Sequence, residues 1–406
     1  MNVDLKKLYS LPVIISALGY FVDVYDLTLF SIVRIESLKD LGLSGDALMH
    51  EGIFILNMQM FGMLLGGILW GILGDKKGRT SVLLASILLY SLATLVNGFM
   101  EEVNTYAWIR FFAGVGLAGE LGVAITLVAE SLPQQYRSYG TTLVAVIGIS
   151  GAVAGYYVAQ SVHWRAAYWL GGAMGLVLLF LRFRLLDSPL FKKMLLTDQP
   201  RGHFLMLFQS PQRFFCYLRC VLLGLSSWAM TGLVVTFSPE IAQSMHISTP
   251  IHAGKALMLC YFGAMFGDAT SGFLSQYLQS RKQTIACFLL FNILAIAVLL
   301  SFKGYSADWF YWGIFAVGFG TGFWALFLIM VSEQFGTNLR ATATTSAPSF
   351  VRGCMVPMAL GFKALQTYVA VEYAALIITI SALMIALMAL YGLKETFHRQ
   401  LEFYEK

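Results

Sequence analysis

Twelve stretches of this sequence are long and apolar enough to cross a bilayer, and their recurrence constrains the fold more than any motif. They lie near residues 10 to 33, 52 to 74, 80 to 99, 105 to 131, 138 to 161, 164 to 182, 214 to 239, 252 to 276, 283 to 302, 309 to 333, 340 to 366 and 371 to 394. About 20 apolar residues as a helix cover the hydrocarbon thickness. Inside lipid the backbone satisfies its own polar groups only as a helix or a closed barrel, and spans of this length are helical. With 58% hydrophobic and 12% charged residues, against about 25% charged in a soluble domain, the chain reads as an all-α membrane protein.

The net charge of +5 says less than its distribution. With the N-terminus placed in the cytoplasm, the inward segments collect Lys6, Lys7, Lys76, Lys77, Arg79, Arg137, Arg182, Arg184, Lys192, Lys193, Arg201, Arg213, Arg281, Lys282, Arg340, Lys394, Arg399 and Lys406. The outward loops hold little beyond Lys39, Arg165 and Lys303. Positive charge favours the cytoplasmic side, so both termini are expected there. The run from Pro12 to Val33 is too long, and too interrupted by acids, for a cleavable signal and reads as the first span. No Asn-x-Ser/Thr sequence occurs, which favours a bacterial inner membrane.

The longest loop, residues 183–213, is basic and holds Pro189, Pro200 and Pro211. It separates six spans in residues 1–182 from six in 214–395 and leaves a cytoplasmic tail, 396–406. The second half repeats the first at an offset of 203, pairing Gly119 with Gly322, Glu130 with Glu333, Arg137 with Arg340 and Thr141-Thr142 with Thr344-Thr345. Two parallel repeats in a membrane chain are the internal symmetry of transporter halves.

Ionisable residues inside the spans then carry the functional argument, because burying one costs at least about 2.5 kcal/mol and needs a reason. Glu120 stands mid-span among Gly114, Gly116, Gly119 and Gly122, small residues that let another helix approach. It reads either as a proton relay or as an interhelical hydrogen bond. Asp23 and Asp26 lie three residues apart on one face of the first span. Asp26 reads as a proton-coupling or substrate group, or as a structural partner of Arg110 or Tyr25. Arg110 can expel a proton from a neighbouring acid, or snorkel to the interface. Arg352 sits between Pro348 and Pro357; its planar fork suits a substrate carboxylate, with an internal ion pair as the alternative. Asp268 belongs to the cavity or to a gate.

Several of these positions carry a resemblance. Arg110, Gly114, Ala118-Gly119-Glu120, Gly122, Ala129-Glu130, Pro133 and Arg137 resemble the fourth helix of the major facilitator superfamily, nearest its metabolite:proton symporters. Gly71, Gly74, Asp75, Gly78 and Arg79 resemble the superfamily's loop signature between helices 2 and 3; Asp23-x-Tyr25-Asp26, Trp164-Arg165 and Asp187-Ser188-Pro189-Leu190-Phe191 resemble landmarks of the branch. Gln276 stands where the second half would carry an Asp, so the C-terminal latch is expected to be weaker or absent. The resemblance implies a major facilitator fold of two pseudo-symmetric six-helix bundles around a central cavity, moving by alternating access. Asp26, Asp23, Glu120 and Arg110 are the candidates for proton coupling; Tyr25 and Trp324, on helices the resemblance places around the cavity, are expected at the substrate, and so is Arg352, which is particular to this sequence because the branch carries mostly neutral side chains there. The resemblance also implies a cytoplasmic gate of Asp75, Arg79, Glu130, Arg137, Glu333 and Arg340.

The expected function is proton-coupled uptake of a small carboxylate-bearing metabolite, an organic acid, amino acid or betaine. A proton-driven exporter of a metabolite, siderophore or drug is the alternative, and a membrane enzyme or nutrient sensor a remote one, since no nucleophile elbow, metal set or phosphate loop occurs. The five cysteines form no metal-ligand spacing and the six histidines form no cluster. No cofactor is expected; the proton gradient drives transport. The partners are a small-molecule substrate, protons and the lipid bilayer, without nucleic acid, and the protein is expected to act as a monomer.

Overall fold

The computed structural model describes residues 10–133, 136–183, 187, 189–195, 201–247, 249–301, 304 and 306–405. Lys6, Lys7, Arg184, Lys303 and Lys406 of the charge pattern, Ser188 of the sixth-span landmark and Pro200 of the long loop lie outside them. Eleven helical segments among the described residues are long and apolar enough to cross a membrane. The twelfth crossing, residues 340–366 in sequence, is a pair of consecutive helices.

The first half comprises α1 (Leu11–Asp40), α2 (Asp46–Lys77), α3 (Arg79–Asn97), α4 (Val103–Leu117), α5 (Glu120–Ser131), α6 (Arg137–Ser161) and α7 (Trp164–Arg182). After the short α8 (Pro189–Leu195), the second half comprises α9 (Pro211–Trp228), α10 (Ser238–Ser244), α11 (Ala253–Leu278), α12 (Arg281–Ser301), α13 (Ala307–Thr321), α14 (Trp324–Gln334), α15 (Arg340–Gly353), α16 (Met355–Leu365) and α17 (Val371–Tyr391). Pro12 and Pro211 sit in the first turns of α1 and α9, where the absent N–H breaks no helical bond. Gly78, with φ +104°, makes the turn from α2 to α3 that an L side chain would strain.

Four crossings form the centre. In the most apolar windows of the first, fourth and tenth spans 83% of residues are buried, and 67% in the seventh, whereas the others fall between 39% and 50%. The peripheral helices turn one face to lipid.

The fourth and tenth spans are interrupted, one between α4 and α5 at Ala118-Gly119, the other between α13 and α14 at Gly322-Phe323. These breaks lie within one residue of the repeat offset of 203, so the repeat extends to backbone geometry. The seventh span widens into a π-helical turn at Ala229–Val235 before α10. The eleventh span breaks at Cys354, and its first half, α15, is mostly Thr, Ser, Ala and Arg with Pro348 inside. That polarity is why it fails the apolar test although Arg340 to Ser349 are almost wholly buried. Ser346 and Ser349 return their hydroxyls to the carbonyls of Thr342 and Thr345 (2.6 and 3.1 Å).

The two largest helix crossings between the halves are α2 on α15 and α6 on α11, and the internal symmetry exchanges them. Glycine makes both close. A Cβ on Gly71 would stand 2.9 Å from Thr342 Cα, and one on Gly272 would strike Thr142. Thr142 is the residue that the offset of 203 pairs with Thr345, which packs on Gly122.

Candidate functional site

Four of the charged side chains buried in the first half form two separate pairs. Arg110 donates from Nη1 to Asp26 Oδ1 at 3.0 Å and from Nη2 to the Asp26 carbonyl at 3.0 Å. Thr94 donates to the other carboxylate oxygen at 2.8 Å. Beyond it Arg110 lies 5.4 Å from the Tyr168 ring, and the Tyr168 and Tyr106 hydroxyls meet at 2.6 Å. This layer is dry, with Asp26, Arg110 and Tyr106 at 0% exposure.

Glu120 opens α5 immediately after the helix break, a position where the exposed helix N-terminus favours a carboxylate. Its fork partner is Arg182, with Nη1 2.7 Å from Oε2 and Nη2 on Oε1. Arg182 also donates to the Leu83 carbonyl at 3.2 Å. A Cβ on Gly19 of α1 would overlap both members of the pair. Arg182 stood among the inward charges in the sequence; it is at 0% exposure instead.

Asp23 differs from both. It is fully buried, and neither carboxylate oxygen has a hydrogen-bond partner. The charges acting on it are those of Arg352, Glu120, Asp26 and Arg182. Tyr25 does not border the cavity. It is at 0% exposure, its hydroxyl donates to the Ala167 carbonyl at 2.9 Å, and its ring packs against Gly171.

A central cavity of about 60 Å³ lies between the halves, lined from α1 by Tyr20 and Val24, from the seventh span by Trp228 and Thr231, from α11 by Tyr261 and Asp268, from α14 by Trp324, and from α15 by Arg352. Asp268 Oδ1 accepts from the backbone N–H of Ala325 at 3.0 Å, covering an open donor at the start of α14, while Oδ2 has no partner. Arg352 is 4% exposed and lies 5.5 Å from the Trp228 ring. Among the described residues no carboxylate lies within ion-pairing distance of its guanidinium, and its Nε has no acceptor. A second cavity, about 180 Å³, continues the first along α1, α2 and the seventh span and shares Leu27, Trp228, Thr231 and Tyr261 with it.

At the opposite end of the bundle the halves are tied together. Asp75 accepts from the backbone N–H groups of Ala341 and Thr342 (3.1 and 2.8 Å) and from the Thr342 hydroxyl (2.8 Å), so an α2 carboxylate caps the N-terminus of α15 across the interface. Glu130 joins Arg79 at 3.0 Å and Arg340 at 2.7 Å, and Arg79 reaches the Thr337 carbonyl at 3.2 Å. In the second half Arg281 holds Glu333 at 3.4 Å. Arg137 Nε bonds the Ala129 carbonyl at 3.1 Å and Arg340 Nε the Ser332 carbonyl at 2.9 Å, positions related by 203. In the second half Gln276 stands where the counterpart of Asp75 is expected, and its Nε2 has no hydrogen-bond partner among the described residues. The tail, read in sequence only as a cytoplasmic extension, fastens the same end. Leu401 O accepts from Arg340 Nη2 (2.6 Å), Phe403 O from the Thr337 N–H (2.9 Å), and Glu405 N donates to Asn338 Oδ1 (2.9 Å).

Comparison with known proteins decides the class. The family model described as Major Facilitator Superfamily matches residues 16–355. The chain belongs to the Major Facilitator Superfamily. It resembles the 4-methylmuconolactone transporter of Cupriavidus pinatubonensis, termed probable, at 25% identity over 86% of this chain and 82% of that one. It matches the 3-(3-hydroxy-phenyl)propionate transporter of Escherichia coli at 24% over 72% of each. With NiaP of Bacillus subtilis, a niacin/nicotinamide transporter by its tentative name, it shares 29% over 44% of this chain and 45% of that one, so the chain spans under half of that relative. A solved structure of the proton:xylose symporter XylE superposes with a TM-score of 0.74 at 15% identity, over 98% of both chains. This major facilitator is therefore a multi-pass membrane transporter and not an enzyme.

Proposed function

We propose that this transporter carries a small carboxylate-bearing metabolite into the cell together with a proton, the carboxylate seating on Arg352. One observation carries the reading: an arginine enclosed at a central cavity without a carboxylate partner. A buried cation left unpaired is costly, and an anionic ligand supplies the missing partner with two parallel hydrogen bonds. Tyr20, Trp228, Tyr261 and Trp324 around it suit a flat or aromatic body on that carboxylate. The printed names of relatives, among them transporters of benzoate and of 3-(3-hydroxy-phenyl)propionate, agree with an aromatic acid.

Asp26 with Arg110 is the proton switch. Protonating Asp26 removes the charge that holds Arg110 and frees α4 from α1; losing the proton restores the pair. Asp23, unpartnered between this layer and Arg352, passes the change on to the substrate site. The Asp75, Arg79, Glu130 and Arg340 latch, with Arg137 and Glu333 beside it, is the cytoplasmic gate. It is closed here, and the wider cavity at the other end is the outward path, so alternating access exchanges the two. The protein sits in the bacterial inner membrane with both termini inside.

The test is uptake by the purified protein in liposomes of nicotinate against nicotinamide, and benzoate against benzamide. Only the acids are expected to enter. Equal entry of the neutral amides would remove Arg352 from the substrate role.

A further inference from the structure

A third cavity, of opposite character, lies at the latch end, outside the transport path. It measures about 470 Å³ and is formed by the start of α9, the end of α14 and the segment that leads from α17 into the tail. Its walls carry four cations, Arg213, Arg219, Lys394 and Arg399, against one carboxylate, Glu405. Glu405 is itself engaged, accepting from the Gly336 N–H at 3.2 Å. Arg219 gives Nη1 to the Gly392 carbonyl at 2.9 Å.

The N-terminus of α9 adds to the same field. Pro211 and Gln212 line the cavity, α9 runs for 18 residues, and its N-cap Ser210 makes no side-chain cap bond. Helix N-termini attract anions. Beside this charge the wall is apolar: Phe215 lines the cavity at 51% exposure, and Phe208, 44% exposed, sits 5.9 Å from Phe214. In a membrane-spanning chain that apolar rim faces acyl chains while the cations face the headgroup layer.

We infer that this cavity binds the phosphate of an anionic phospholipid, with the headgroup against Arg213, Arg219 and Lys394 and an acyl chain along Phe215. Guanidinium forks bind phosphate in pairs, and basic recesses between spans at the cytoplasmic face are where such headgroups dock. Because the tail forms part of the wall, an occupying lipid bridges α9 to the segment that fastens the latch.

Native mass spectrometry of the full-length protein in mild detergent tests this, with phosphatidylglycerol, phosphatidylcholine and inorganic phosphate as separate probes. The expected result is a retained phosphatidylglycerol that falls at least fivefold in the double variant R219Q/K394Q. Phosphatidylcholine should be retained weakly and equally by both proteins. The charge-keeping double variant R219K/K394R should hold phosphatidylglycerol, which separates loss of charge from loss of fold. Equal retention of the two lipids, or phosphatidylglycerol undiminished in R219Q/K394Q, would overturn the site. Retention of inorganic phosphate with the same dependence on the two residues, and no preference for phosphatidylglycerol, would overturn the lipid and leave a soluble phosphate ligand.

Discussion

Arg110 and Arg352 are both enclosed arginines in membrane-spanning segments, at 0% and 4% exposure, and their surroundings are opposite. Arg110 has a carboxylate at 3.0 Å, a carbonyl at 3.0 Å and an aromatic ring. Arg352 has an aromatic ring and a cavity. Removing a partner from a buried pair strands a charge, whereas removing an unpaired charge relieves a cost. The first arginine is therefore part of the protein's own balance, which under the proposed switch a proton on Asp26 would upset. The second, on the proposed reading, is balanced by an anion that enters.

The variant Arg110→Gln should test that contrast most strongly, by stranding Asp26. A loss of about 3–5 kcal/mol is expected, read as a lowered unfolding temperature in detergent and partly recovered in D26N/R110Q. An R110Q protein as stable as the parent would break the comparison. Arg352→Gln should do the reverse, keeping or raising stability while uptake of the preferred acid falls about a hundredfold, the scale of about 2–3 kcal/mol for one charged contact. A marked loss of stability in R352Q would mean that the protein itself pairs Arg352.

The latch offers a paired case that bridges the two halves. Glu130→Gln deprives Arg79 and Arg340 of their shared carboxylate and should loosen the closed end by about 1–3 kcal/mol. A thiol label on a cysteine placed at Thr345, with the native cysteines removed, should then react faster; unchanged labelling would show that the pairing does not hold the gate. The smallest effect belongs to Thr94→Val, which removes one hydrogen bond to Asp26. About 1 kcal/mol is expected, seen as a less than tenfold fall in proton-linked uptake with the fold intact.

What the sequence announced and what it hid divide along physical lines. The spans were legible because lipid demands continuous apolarity, whereas the two helix breaks beside Gly119 and Gly322 were not read, although the repeat pairs these glycines. The partnership of Asp26 with Arg110 was visible as an open alternative. Arg182 was hidden. A cation at the end of an apolar run reads as a flanking charge, and only the fold brings it to Glu120 through the gap left by Gly19. Tyr25 was misplaced for a related reason: the face of a helix buried on all sides cannot be read from its periodicity. The tail escaped because backbone groups make most of its bonds to the latch, and these leave no mark in residue type.

The most direct measurement is lumenal pH in liposomes holding the protein and a trapped dye, challenged from outside with the preferred carboxylate. Acidification is expected with the parent protein, none with R352Q, and none with D26N although D26N still exchanges labelled substrate across the membrane. Acidification by D26N equal to that of the parent would contradict the Asp26 switch, and carboxylate entry through R352Q at the parent rate would contradict the site itself.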